Sequence, residues 1–225
     1  AEKAGKVFFD GPQVRLKGYG HTVADAEKEE LNLLLKTGPG SYFTHAFTGQ
    51  MLDAEILVGE DGRPTTIRKK YIRNPYSWDD CLGNSIGVSV AVKSVPDNAL
   101  VYVKRSDKLT QYPNRFGVAA AGFMDRTKDS VALMIEAALK EKNDTRRKII
   151  ERTIAEAGCL GMDKSTYNPF LTIWRETEEE LGIDTMLGDF KITGVARPWD
   201  DLHGEVYGHL KTDKAVLQMK SAPQK

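Results

Sequence analysis

From residue 84 to residue 212 the chain alternates between strand patterns and helix patterns, and no other feature constrains the fold as strongly. The run SIGVSVAVKS reads as a buried strand, Pro96-Asp97-Asn98 as a turn, and ALVYVKRS as the returning strand of a hairpin. Phe116 to Met124 is extended and rich in small residues. Two helices are predicted next, over about 130–142 and 145–157; in the second, Ile149, Ile150, Thr153, Ile154 and Ala157 keep helical spacing and Gly158 ends it. A third helix, about 169–181, has Asn168 as N-cap, Pro169 at its first position and Gly182 as its stop. FKITGVAR and EVYGHLKT supply two further strands. Strands and helices interleaved in this way predict a mixed α/β (α+β) layer fold.

The first 80 residues read less regularly. VFFD and VRLKGYG (7–10 and 14–20) form short extended segments broken by Gly11-Pro12. Thr22, with Asp25 as a partial capping box, predicts a helix over 23–36 that stops before Gly38-Pro39. Strands are expected at 42–48 and 54–58, the latter joined through Glu60-Asp61-Gly62 to TTIRKKYIR as a hairpin. The organisation expected is an N-terminal extension, 1–80, packing on a main domain, 81–225.

Composition excludes several classes. A chain of 225 residues with 40% apolar and 28% charged residues has the make-up of a globular protein, not of a disordered one. Lys plus Arg and Asp plus Glu both number 32, so no global charge draws it to nucleic acid or to anionic lipid. No run approaches 18 apolar residues, so no transmembrane helix is expected. The start, AEKAGKVFFD, lacks a signal-type apolar stretch and reads as a processed end. Two cysteines, Cys81 and Cys159, make no disulfide scaffold, and a cytoplasmic (intracellular) setting follows.

The segment Asn168 to Ile183, NPFLTIWRETEEELGI, carries the chemistry. At 100° per residue Glu176, Glu179 and Glu180 fall within an arc of about 100°, with Arg175 beside Glu179. Phe170, Ile173, Trp174, Thr177 and Leu181 take the other side, so the helix packs on a core and displays three carboxylates. Like charges at these spacings repel by a few tenths of a kcal/mol each, and one arginine neutralises only one of them. Hard oxygen donors in this pattern suit Mg²⁺ or Mn²⁺ rather than Zn²⁺. A second acidic run, Glu27, Glu29 and Glu30 on the predicted helix 23–36, bears no other mark of a site, so acidity alone is not diagnostic.

The string RETEEELGI fits R-E-U-x-E-E-x-G-U, and the chain resembles the Nudix hydrolases over about 84–213. SIGVSVAVKSVPDNALVYVKRSDK and FGVAAAGFMD resemble the strands and glycine loop that precede the box, and KITGVARPWDDLHGEVYGHLKTD the strands that follow it. The resemblance implies an α/β/α sandwich around a mixed sheet and Mg²⁺-dependent cleavage of the diphosphate linkage in a nucleoside diphosphate derivative. It implies that Glu176, Glu179 and Glu180 ligate the metal, with Glu179 activating water, Arg175 orienting the glutamates and the Gly122 carbonyl adding a ligand. The full box, G-x5-E-x7-R-E-U-x-E-E-x-G-U, is not matched throughout. Gly161 has the correct offset from Arg175, but Tyr167 then stands at the first Glu; counting from Gly122 gives Lys128, and the nearest acid is Asp129. Between Gly122 and Arg175 lie 52 residues where the pattern has 13, an insertion of about 39 that holds the helices near 130–157 and caps the cleft or forms a homodimer contact.

Other candidates are weaker. The four histidines lie far apart in sequence; His203, in DDLHGE, is the one placed to meet a substrate as acid or base, with Asp200, Asp201 and Glu205 as solvated neighbours. Trp174 reads as core, and Trp199, after Arg197-Pro198, as the aromatic that would stack on a nucleobase. Arg68-Lys69-Lys70 with Arg73 reads as a solvated face of a strand. No G-x-S-x-G, P-loop or dinucleotide fingerprint is present. The expected partner is a nucleotide-type small molecule, with neither membrane nor nucleic acid. Two other functions are compatible with such a fold: a sensor that binds a nucleotide without cleaving it, and a prenyl-diphosphate isomerase, which needs a cysteine in the cleft.

Overall fold

The computed structural model describes residues 10–25, 27, 30–74, 82–107 and 114–219. Residues 7–9 of the first extended segment, Glu29, Trp78 and Cys81 lie outside the described residues. The chain divides into two compact units: residues 10–86 with a returning segment 197–205, and residues 87–196 with 206–219.

The first unit opens with an antiparallel hairpin, β1 (Pro12–Asp25) against β2 (Glu30–Ser41), in register from Pro12↔Ser41 to Asp25↔Glu30. It replaces the helix expected over 23–36. Leu33, Leu34 and Leu35 are good helix formers, but β1 offers a pairing partner along the whole segment and tertiary pairing overrides local propensity. Thr22 pairs with Asn32 and caps nothing, and Gly38-Pro39 lies inside the strand. Glu27 and Glu30 of the acidic run therefore fall at the end of a hairpin and not on a helix.

Where a strand was expected at 42–48, one helical turn, α1 (Tyr42–His45), runs into a π-helical turn, Ala46–Gln50. The Ser41 hydroxyl accepts from the Thr44 N–H at 3.3 Å and starts the turn. The next hairpin is short: β3 (Leu57–Val58) pairs with β4 (Pro64–Thr65). The basic run then forms α2 (Ile67–Tyr71), opened by Thr66, whose hydroxyl accepts from Lys69 N–H at 3.1 Å, so no strand alternation governs it. Leu52, Ile67, Leu82 and Leu202 make the buried centre of this unit.

The second unit follows the sequence pattern closely. It contains β5 (Ile86–Ser94), β6 (Ala99–Lys104), β7 (Phe116–Val118), β8 (Ala120–Phe123), α3 (Val131–Lys140), α4 (Asp144–Cys159), α5 (Pro169–Leu181), β9 (Phe190–Ala196) and β10 (Gly204–Thr212), the last of these starting at the end of the returning segment. The six-stranded sheet runs β7-β6-β5-β10-β9, with β8 also paired to β5. β6 pairs antiparallel with the last residues of β5, and β8 with its first half, Gly87↔Phe123 to Val90↔Ala120. Buried Val88, Val90 and Val92 show β5 to be the middle of the layer. The α/β class read from the sequence is the class observed. No helix among the described residues is long and apolar enough to cross a membrane.

Helix α5 is the element that positions the site. Asn168 Oδ1 accepts from Phe170 N–H at 3.0 Å, a cap worth about 1 kcal/mol. Pro169 fills the first turn, where its missing N–H leaves no bond unmade. Gly182 ends the helix in the left-handed region, φ 61°, which glycine adopts without a Cβ clash. Leu171, Ile173, Trp174, Thr177 and Leu181 are buried, and Ile173 lies against Gly208 of β10. Phe170, expected on this face, is only half-buried.

Candidate active site

β8 and α5 meet at one point. The Glu176 carboxylate lies directly on Gly122; a Cβ at that position would stand 2.1 Å from Oε1 and 2.2 Å from Cδ. Glycine at 122 leaves the carboxylate this place, and any side chain there would have to displace it. Glu180 accepts a hydrogen bond from the Ala121 backbone, one residue away on the same strand. Glu179, a turn above Glu176, is more exposed than Glu176, at 27% for its side chain against 11%.

A single guanidinium serves two of these acids, Glu176 and Glu179. Arg175 donates from Nη1 to Glu176 Oε1 at 2.7 Å, and the same nitrogen stands 3.8 Å from Glu179 Oε2. Its other edge faces Asp129 in a two-pronged pair, Nε to Oδ1 at 2.8 Å and Nη2 to Oδ2 at 3.0 Å, and Nη2 also reaches the Phe123 carbonyl at 3.2 Å. Planar two-pronged pairing of this kind fixes direction as well as charge. Burial opposes the arginine's charge, but Asp129 and the two glutamates outweigh it and raise its pKa above the ordinary value.

Asp129 is itself held in place. Its carboxylate, 1% exposed, accepts from Thr172 Oγ1 at 3.0 Å and from the Asp125 N–H at 2.7 Å. The Asp125 carboxylate in turn accepts from the N–H and hydroxyl of Thr127, at 2.7 and 2.6 Å, which tightens the turn 125–129. The acid that sequence counting left one step out of register thus anchors the arginine. The signal in the sequence was D-R-T-K-D, an Asp turn whose second Asp returns to the first residue's N–H.

The charge balance leaves the glutamates short of cation. Burial pushes the Glu176 carboxyl up to about 7, with Arg175 offsetting only part of the penalty and Glu179 adding to it. Burial likewise raises Glu180 to about 7, reinforced by Glu176. Three oxygen donors on successive turns with too little positive charge suit a hard divalent ion. As the side chains lie, no three acidic, histidine or cysteine groups among the described residues surround one point.

No family model matches the chain, and no curated protein does.

Beside the glutamates, α3, α4, α5 and the turn 127–129 enclose a cavity of about 280 Å³. Its walls are aliphatic for the most part, including Leu133, Met134, Ile149, Ile150 and Leu171, with Trp174 among them. Arg175 and Glu179 belong both to this lining and to the carboxylate cluster. Arg146 of α4 reaches Glu178 of α5 at 3.5 Å across it. No pattern in the sequence announced this cavity, since its walls lie up to 52 residues apart along the chain.

The remaining sequence candidates, Trp199 and His203, belong to the unit formed by residues 10–86 and 197–205. Trp199 is 62% exposed, and one face is covered by the Arg68 guanidinium 4.8 Å from the ring centroid. Arg68 is also paired with Asp53, at 2.7 Å, and donates to the Trp199 carbonyl at 2.8 Å. His203 is engaged at both ring nitrogens, Nδ1 to Asp201 at 2.5 Å and Nε2 to Glu205 at 2.7 Å, so Asp201 and Glu205 are not solvated loop acids. Burial opposes its protonation, but the two carboxylates prevail and raise it to about 9. His45, distant in sequence, sits edge-on to it with ring centroids 5.8 Å apart, and burial with the His203 charge lowers its pKa to about 4.

Proposed function

We propose that the protein is a Mg²⁺-dependent (or Mn²⁺-dependent) pyrophosphohydrolase of the Nudix type. Its substrate is a nucleoside diphosphate derivative of the dinucleotide, nucleotide-sugar or ADP-ribose kind, and its setting is cytoplasmic. The observation that carries this reading is the contact between Glu176 and Gly122, which brings the carboxylate helix onto the glycine strand with one arginine among three buried or half-buried acids. Sequence resemblance supports it through the same residues, Arg175, Glu176, Glu179 and Glu180.

A bound divalent ion supplies neutralisation of the diphosphate charge and a water of lowered pKa. The chain supplies the rest. Glu176 and Glu180 hold fixed oxygen donors on two turns of one helix. Glu179, more accessible than Glu176, takes the proton as a water oxygen adds to phosphorus and the bridging P–O bond breaks. Two phosphate monoesters result, and the proton passes to solvent. Arg175, clamped by Asp129, keeps Glu176 and Glu179 from swinging apart.

The test is product release from a panel of nucleoside diphosphate derivatives, with and without Mg²⁺ or Mn²⁺, beside Glu179→Gln. Metal-dependent cleavage reduced roughly a thousandfold in the variant supports the reading. One feature favours a second function: Arg175 Nη1 closes on Glu176, as in a site that binds a nucleotide without cleaving it. No cleavage, with a melting temperature that still rises on adding a nucleotide, would replace the hydrolase by that sensor. A prenyl-diphosphate isomerase is less well supported, because Cys159 is exposed at the end of α4 and is not part of the cavity wall.

A further inference from the structure

We propose that the cavity between α3, α4 and α5 receives a compact apolar or aryl group of the substrate, carried on the side of the diphosphate away from the nucleoside. This rests on the hydrolase reading and narrows its substrate class. Arg175 and Glu179 line the cavity and also belong to the carboxylate cluster, so a diphosphate held at the glutamates has one end facing the cavity mouth.

The walls decide what fits there. Leu133 and Met134 from α3, Ile149 and Ile150 from α4, and Leu171 and Trp174 from α5 offer no hydrogen-bond partner apart from the indole N–H, and of the polar residues that share the lining Thr127, Asp129, Arg146, Arg175 and Glu178 are already bonded to other groups of the protein. A nucleobase or a sugar placed against them would leave its polar edge unpaired, which disfavours it strongly. An alkyl or phenyl group loses nothing by the same burial. The charges on the lining balance: Arg175 is matched by Asp129 and Arg146 by Glu178, which leaves Lys128 and Glu179 at opposite ends of the account. A neutral group is therefore the complement, with the phosphates outside. At about 280 Å³ the cavity lies at the lower end of small-molecule pockets, enough for one ring or a short branched chain and too small for a second nucleoside.

The experiment compares ADP β-phenyl ester with ADP β-methyl ester as substrates, in the wild-type protein and in Ala137→Phe and Ile149→Gln. Ala137 is an exposed residue of α3 on the cavity wall, so phenylalanine there fills the space without disturbing a buried position. Ile149 is half-buried, and its replacement makes the wall polar. Expected is a kcat/KM at least about tenfold higher for the phenyl ester in the wild type, a preference that falls toward one in both variants while their melting curves stay cooperative. Equal cleavage of the two esters by the wild type overturns the cavity assignment and leaves the hydrolase standing. Cleavage of neither overturns the cavity assignment when members of the nucleoside diphosphate panel are cleaved, and overturns the hydrolase when none of them is. In that event naphthyl phosphate is titrated: a rise in melting temperature abolished by Ala137→Phe retains an apolar-group site, and no rise overturns it as well.

Discussion

Replacing Asp129 by asparagine removes the charge that holds Arg175 while keeping the side chain's size. The arginine is left 13% exposed with an amide in place of its carboxylate, and two charge-assisted hydrogen bonds of 2.8 and 3.0 Å are lost or inverted. Bonds of that kind contribute about 1.5–3 kcal/mol each, and removing one partner of a buried pair costs about 3–5 kcal/mol in total. Arg175→Met strands Asp129, which is 1% exposed, and falls in the same range. The double variant removes both charges and is expected to cost less than the two singles summed, by at least about 2 kcal/mol. Equilibrium urea unfolding at pH 7 without metal measures all four corners. With a slope of about 2 kcal/mol per molar, each single variant moves the midpoint down by roughly 1.5–2.5 M. Single variants within 1 kcal/mol of the wild type, or a strictly additive double, would show that the pair does not hold the site together.

Two further outcomes are expected. The folded pKa of His203, about 9, exceeds its unfolded value of about 6.5, so its stabilisation is full below 6.5 and is lost as pH rises through 9; His203→Gln should flatten that alkaline fall in melting temperature. His45 works in the opposite sense, its stabilisation being present above about 6.5 and fading as pH falls toward 4; in the His203 variant this acid limb should shrink without vanishing, since burial, the larger cause, remains while the His203 charge is gone. Gly122→Ala drives a Cβ into the Glu176 carboxylate and should lower turnover by roughly a hundredfold, read as initial rates beside a melting curve that remains cooperative.

What could be read in the sequence was whatever depends on near neighbours. Helix α5 was legible to the residue because its cap, its proline, its stop and its period all lie within 15 residues and agree. The β5–β6 hairpin and helices α3 and α4 were legible for the same reason. The β1–β2 hairpin was not, because residues 31–36 favour a helix locally and become a strand only through pairing with residues 16–23. The turn at Tyr42–His45 was missed because one serine hydroxyl outweighs a β-prone composition. At the site, the three glutamates, Arg175 and Gly122 came together from spacing and resemblance. The anchoring by Asp129, the His45–His203 contact and the cavity came only from contacts between residues far apart in the chain.

The backbone of Asn168 donates to the Asp129 carbonyl at 3.1 Å, and Ser130 bridges to Tyr167. Everything between, α3 and α4 included, thus leaves and rejoins the domain at a single neck two residues wide. Closing a loop this long is less demanding than its length suggests, since each doubling adds only about 0.6 kcal/mol of closure entropy. Asp129 and Arg175, 46 residues apart, hold the base of this neck. Beyond it α4 is tied back as well, by Arg146 to Glu178, by Arg152 to Asp184 and by Glu156, which accepts from the Leu187 and Gly188 N–H groups, so any segment exchanged for α3 and α4 has to restore these contacts to α5 and the turn after it.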